Sequence, residues 1–75
     1  MNSKNYPKKG IYRHYKGNKY ELIHIANHSE TLEKMVVYKA LYGDGEIWVR
    51  PLNMWSETVI VNGKVVPRFE YLENN

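Results

Sequence analysis

Seventy-five residues make one domain, and one this small buries only about 60–65% of its unfolded surface. There is no Cys, so disulfides and thiolate metal cages are excluded, and two Trp, seven Tyr and one Phe must supply much of the core. Eleven basic and eight acidic residues leave a net charge of +3, which suits an anionic partner without demanding one.

Residues 1–9 are polar, with Pro7 and a Lys pair, and read as a frayed tail. The domain is expected over residues 10–72, with residues 73–75 frayed. The first strand is residues 11–15, rich in strand formers. Lys16-Gly17-Asn18 makes a turn, and residues 20–26 (YELIHIA) form the second strand. A strict two-residue period puts Ile23 and Ile25 on one face, and Tyr20, Leu22, His24 and Ala26 on the other. Residues 27–34 are polar and read as a loop or one helical turn. Strand three is residues 35–42, apolar on both faces and so central.

Gly43-Asp44-Gly45 supplies the positive φ angles of a hairpin into strand four, residues 46–50. Pro51 has no N–H and cannot continue a central strand, so residues 51–55 read as a short helical turn led by Pro. Residues 58–61 are the fifth strand, and Asn62-Gly63 is the strongest short hairpin signal in the chain. Val65-Val66 and residues 68–72 close the domain, with Pro67 marking an edge or a bend. Five to six short strands with a single helical turn predict an all-β domain, a small SH3-like barrel, with an OB-like barrel as the alternative.

The same segments resemble a known family. GIYRHYKGN over residues 10–18 with Tyr20, HSET over 28–31 with Glu33, Val36-Val37-Tyr38, Leu41-Tyr42-Gly43, WVRPL over 48–52 and Pro67-Arg68-Phe69 resemble the bacterial and phage family catalogued as domain of unknown function 1653. The resemblance spans residues 10–72. It implies a stand-alone small domain and carries no established activity. Trp55 departs from the family pattern, which implies Phe; either ring would fill a core slot.

Candidate chemistry centres on arginine. Each of the three arginines sits beside an aromatic or His: Arg13 between Tyr12 and His14-Tyr15, Arg50 near Trp48, Arg68 before Phe69. A guanidinium offers a planar fork for phosphate or carboxylate and stacks on rings. Arg13, Arg50 and Arg68 are expected to face one cleft, with Tyr15, Tyr38 and Trp48 stacking a base and His14, His28, Ser29 and Glu30 reading the rest of the ligand. The opposing structural reading pairs these arginines with Glu30, Glu33 or Glu70.

His24 and His28 have i, i+4 spacing, but on a strand that separates them by about 13 Å, too far to share a metal. Ser29 lacks any nucleophile elbow or Gly-rich oxyanion loop. The expectation is therefore a non-enzymatic module with no cofactor and no metal, binding an anionic, nucleotide-derived small molecule, in the manner of a phage protein that sequesters a host nucleotide signal. Nucleic-acid binding and SH3-like protein interaction are the alternatives; dispersed lysines argue against the first. No apolar run reaches the roughly 20 residues that span a bilayer, and residues 1–5 lead into no apolar signal segment. A cytoplasmic chain and a homo-oligomer are expected, because so small a core has little apolar area to spare.

Overall fold

The computed structural model describes residues 6–73. Strands β1 (Gly10–His14), β2 (Lys19–Asn27), β3 (Lys34–Ala40) and β4 (Ile47–Pro51) are followed by one helical turn, α1 (Leu52–Trp55). Strands β5 (Thr58–Val61), β6 (Lys64–Pro67) and β7 (Phe69–Glu73) complete the chain. The domain is all-β. Five antiparallel strands form one sheet in the order β4-β3-β2-β1-β7, and β5 pairs with β6 as a separate hairpin.

Two expectations need correction. The described strands make seven elements in two sheets, because the chain breaks at Arg68 between β6 and β7. They form no closed barrel, since β4 and β7 remain the two edges of the larger sheet. The sheet is nonetheless bent. The Arg50 guanidinium on edge strand β4 sits 5.7 Å from the ring centroid of Phe69 on edge strand β7, so side chains of the two edges meet across the concave face.

A bulge in β2 contributes to that bend. Leu22 pairs with Tyr38 and His24 with Val37, leaving Ile23 without an opposite residue. The extra residue breaks the two-residue period and bends the strand. Leu22 and Ile25 therefore both reach the core, against the alternation read from the sequence. The core is Tyr12, Leu22, Val36, Tyr38, Trp55 and Phe69, with Tyr20, Ile25, Leu52 and Tyr71 packed on it. Trp55 fills the core slot expected of it, stacked on Phe69 at 3.7 Å and edge-on to Tyr12 and Tyr38.

Pro51 ends β4 opposite Met35 and leads into α1. An edge strand tolerates it there because its ring nitrogen owes no hydrogen bond. Asn62 and Gly63 have φ of 51° and 80°, the paired positive angles of a two-residue hairpin turn. Strand three stops at Ala40, two residues earlier than expected. The chain turns there so that Tyr42 can hydrogen-bond the Tyr20 hydroxyl at 2.7 Å.

Of the expected N-terminal tail, residues 1–5 lie outside the described residues. Lys8 is tied down: its carbonyl accepts from the Tyr12 hydroxyl at 2.7 Å and its ammonium lies 5.2 Å from the Tyr71 ring centroid. At the other end Glu73 pairs with Ile11, while residues 74 and 75 lie outside the described residues.

Candidate functional site

The turn between β1 and β2 builds one wall of a groove. His14 N–H donates to the Asn18 carbonyl at 2.8 Å and Gly17 N–H to the His14 carbonyl at 2.7 Å. Gly17 has a φ of 111°, which a side chain would resist. Tyr15 N–H donates to the Arg68 carbonyl at 2.9 Å, and Arg68 N–H to the Glu57 carbonyl at 3.0 Å. These bonds tie the turn to the chain leaving the β5–β6 hairpin. Between turn and hairpin runs a groove of about 430 Å³, lined by Arg13, His14, Tyr15, Lys16, Gly17, Val61, Val66, Pro67 and Glu70.

His14 is the hinge of the site. Its ring lies 4.6 Å from that of Tyr15 and 5.0 Å from that of Phe69, so it touches both the groove and the core. Lys16 N–H donates to its Nδ1 at 3.1 Å. The neutral ring therefore carries its proton on Nε2. Burial lowers the pKa, and the positive charges of Arg68, Arg50 and Lys16 lower it further. Arg50 and Arg68 are not among the residues that line the groove; Arg50 lies over the Phe69 ring and Arg68 reaches toward Glu57. The Nε atoms of both arginines are buried without a hydrogen-bond partner among the described residues. Arg68 reaches Glu57 at 3.2 Å; Arg50 has no carboxylate within ion-pair distance among the described residues.

This arrangement sets a sign for pH dependence. The unfolded chain protonates His14 near the ordinary value of 6.5, whereas the folded chain resists that proton. The unfolded state binds more protons below that value, so acidification favours unfolding. Denaturation midpoints should fall as pH drops from about 6.5 toward 5. A His14→Gln variant should show a shallower fall. Equal slopes for the two proteins would remove His14 from the cause.

The Tyr20 phenol is pushed up to about 12 by burial first, then by its hydrogen bond to Tyr42. It stays neutral at physiological pH and serves as a hydrogen-bonding group, not as a base.

The family model for DUF1653, a protein of unknown function, matches residues 10–71. This chain belongs to the DUF1653 family. A crystal structure of a DUF1653 protein from Bordetella bronchiseptica is 38% identical and superposes with a TM-score of 0.83, covering 91% of this chain and 90% of that one. No curated protein matches.

In this DUF1653 domain the residues singled out from the sequence fall into five places. Arg13, His14 and Tyr15 line the groove together. Arg50 and Arg68 are not among the groove's lining residues, so the three arginines do not line it together. Alternation is the reason: Arg13 falls between Tyr12 and His14 on β1 and pairs with Glu70, whereas Arg50 lies opposite Val36 on the concave face. Tyr38 is buried in the core. Trp48 sits half-exposed on edge strand β4 beside Tyr42, Asp44 and Glu46.

His28, Ser29 and Glu30 form the fifth place. They follow Asn27, which is eight residues along β2 from Lys19, roughly 25 Å from the His14 end at about 3.3 Å per residue. The His28 Nδ1 accepts from the N–H groups of Glu30 and Thr31, at 3.1 and 3.3 Å, and so shapes its own loop. Lys16, Val61, Val66, Pro67 and Glu70 were not foreseen as lining residues. Lys16 could have been, since it follows Tyr12-Arg13-His14-Tyr15 within one hairpin; the rest depend on where the β5–β6 hairpin docks.

Among the described residues no helix is long and apolar enough to cross a membrane.

Proposed function

We propose that this domain binds a small anionic, ring-bearing molecule, nucleotide-derived in the best-fitting case, and holds it without transforming it. The observation that carries the reading is the make-up of the groove. Arg13, Lys16 and His14 gather at one side, the Tyr15 ring lies beside them, and Val61, Val66 and Pro67 give an apolar wall. A volume of about 430 Å³ falls within the ordinary range of small-molecule sites. Guanidinium and ammonium groups take the phosphate, and a ring settles between Tyr15 and the apolar wall. Arg50 and Arg68 add positive potential near His14 and hold it neutral. In this reading the domain sequesters or senses a nucleotide signal inside a cell.

A thermal-shift screen with nucleotides, cyclic nucleotides and ADP-ribose derivatives tests it. A ligand at 100 times its dissociation constant adds about 2.7 kcal/mol, which raises the melting temperature of a domain this size by roughly 10–20 °C. Glu70 lies in the groove and holds Arg13 at 3.2 Å. Glu70→Gln removes the groove's one carboxylate and frees Arg13, so it should tighten anion binding about five-fold, the effect of roughly 1 kcal/mol. No shift with any phosphorylated compound, in either protein, would end the proposal.

A further inference from the structure

Phe69 is ringed by hydrogen-bond donors. Its ring centroid lies 5.7 Å from the Arg50 guanidinium, 5.0 Å from the His14 ring and 5.8 Å from the Tyr20 ring. The His14 and Tyr20 rings are 6.4 Å apart. Polar groups from β4, β1 and β2 therefore gather around one buried ring. Burial lowers the His14 pKa and raises that of Tyr20; the positive charge of Arg50 adds to the first shift and opposes the second, so both rings feel it.

These donors are largely unspent. Arg50 has no carboxylate within ion-pair distance among the described residues. Its Nε is buried, and its two Nη groups make no hydrogen bond to any described residue and are open to solvent. His14 accepts at Nδ1 from Lys16 N–H, which leaves its proton on Nε2, unclaimed among the described residues. The Tyr20 and Tyr42 hydroxyls share one hydrogen bond at 2.7 Å, so one of their two protons remains to be given. Arg68, whose charge also reaches His14, is answered by Glu57 at 3.2 Å; Arg50 is not answered.

We propose that Arg50, His14 and the Tyr20–Tyr42 hydroxyl pair hold a phosphate group on the concave face, at a site distinct from the groove. The guanidinium fork takes two phosphate oxygens, and His14 Nε2–H and the spare tyrosine hydroxyl take a third. A carboxylate has only two oxygens and would be satisfied by the fork alone. The Phe69 ring holds the guanidinium in place before the anion arrives. The site stands independently of the groove: Arg50, Tyr20 and Tyr42 are not among the groove's lining residues, and His14 alone touches both.

Nuclear magnetic resonance titration with inorganic phosphate, and in parallel with methyl phosphate, tests the proposal, with chloride at matched ionic strength as the control. The Arg50 Nε–H and His14 ring signals should shift saturably with phosphate and not with chloride. Saturation in either arm supports the site, and the tighter arm tells the free ion from an ester. Arg50→Lys keeps the charge and the stem over Phe69 but loses the fork, and should weaken binding, followed at His14, at least tenfold. Tyr42→Phe, at an exposed position, should weaken it about fivefold. Arg13→Ala with Lys16→Ala removes the groove's two permanent cations and should leave the Arg50 response as it is, so a failure of the groove does not count against this site. The proposal is overturned by an absent or non-saturating shift, by an equal response to chloride, or by an Arg50→Lys or Tyr42→Phe protein that binds phosphate as the parent does. Loss of the Arg50 response in the double variant overturns it as well.

Discussion

Trp55→Ala should remove a large share of this protein's stability. The ring is 3% exposed, stacked on Phe69 and touched edge-on by Tyr12 and Tyr38, so removing it leaves a hole that three aromatic neighbours cannot close. Truncating a buried Trp costs about 3–5 kcal/mol, against a total stability of about 5–15 kcal/mol for a domain. The melting temperature should drop by tens of degrees. Trp55→Phe keeps a ring over Phe69 and should cost only roughly 1–2 kcal/mol. Urea denaturation followed by far-ultraviolet circular dichroism measures both. An alanine variant as stable as the phenylalanine variant would mean that the stack contributes little.

The second large effect concerns binding. Arg13→Ala combined with Lys16→Ala should lower affinity for a phosphorylated ligand about a hundredfold or more, since each charge-assisted hydrogen bond is worth about 1.5–3 kcal/mol. Folding should barely change. The Arg13–Glu70 pair is about half exposed on both sides, and such pairs contribute about 0–1 kcal/mol. The measurement is paired: ligand titration by calorimetry, and thermal melting without ligand. A stability loss above about 2 kcal/mol with affinity intact would make Arg13 a structural residue and leave the groove without its main anion contact.

Much of the fold was readable from local signals because turns are made by particular residues. Asn62-Gly63, Lys16-Gly17-Asn18 and Pro51 each mark a boundary by backbone chemistry alone, and the structure places turns or a helix start at all three. What stayed hidden depends on contacts distant in sequence. Phe69 comes to lie beside His14 only because β7 returns to pair with β1, and that pairing decides where the groove opens. The convergence of three arginines failed for a related reason. Alternation along a strand says which neighbours share a face, but the curl of the sheet decides which faces meet. Arg50 therefore ended over Phe69 and Arg68 beside Glu57, while Arg13 alone of the three lines the groove. The loop at His28 was legible as polar and turn-forming; its distance from the arginines was not, because the full length of β2 intervenes.

Ile23 is an odd residue in an even pattern. In a flat ladder one surplus residue would turn every later side chain of β2 inside out, and Ile25 would face water. Here the surplus is absorbed as bend. The strand resumes in phase with Val36 opposite Ile25, and the sheet leaves that point on a new heading. The position works as a joint: a count of residues is converted into an angle. It helps set how far β4 swings toward β7, and with that whether an arginine on one rim of the sheet can rest over a phenylalanine on the other.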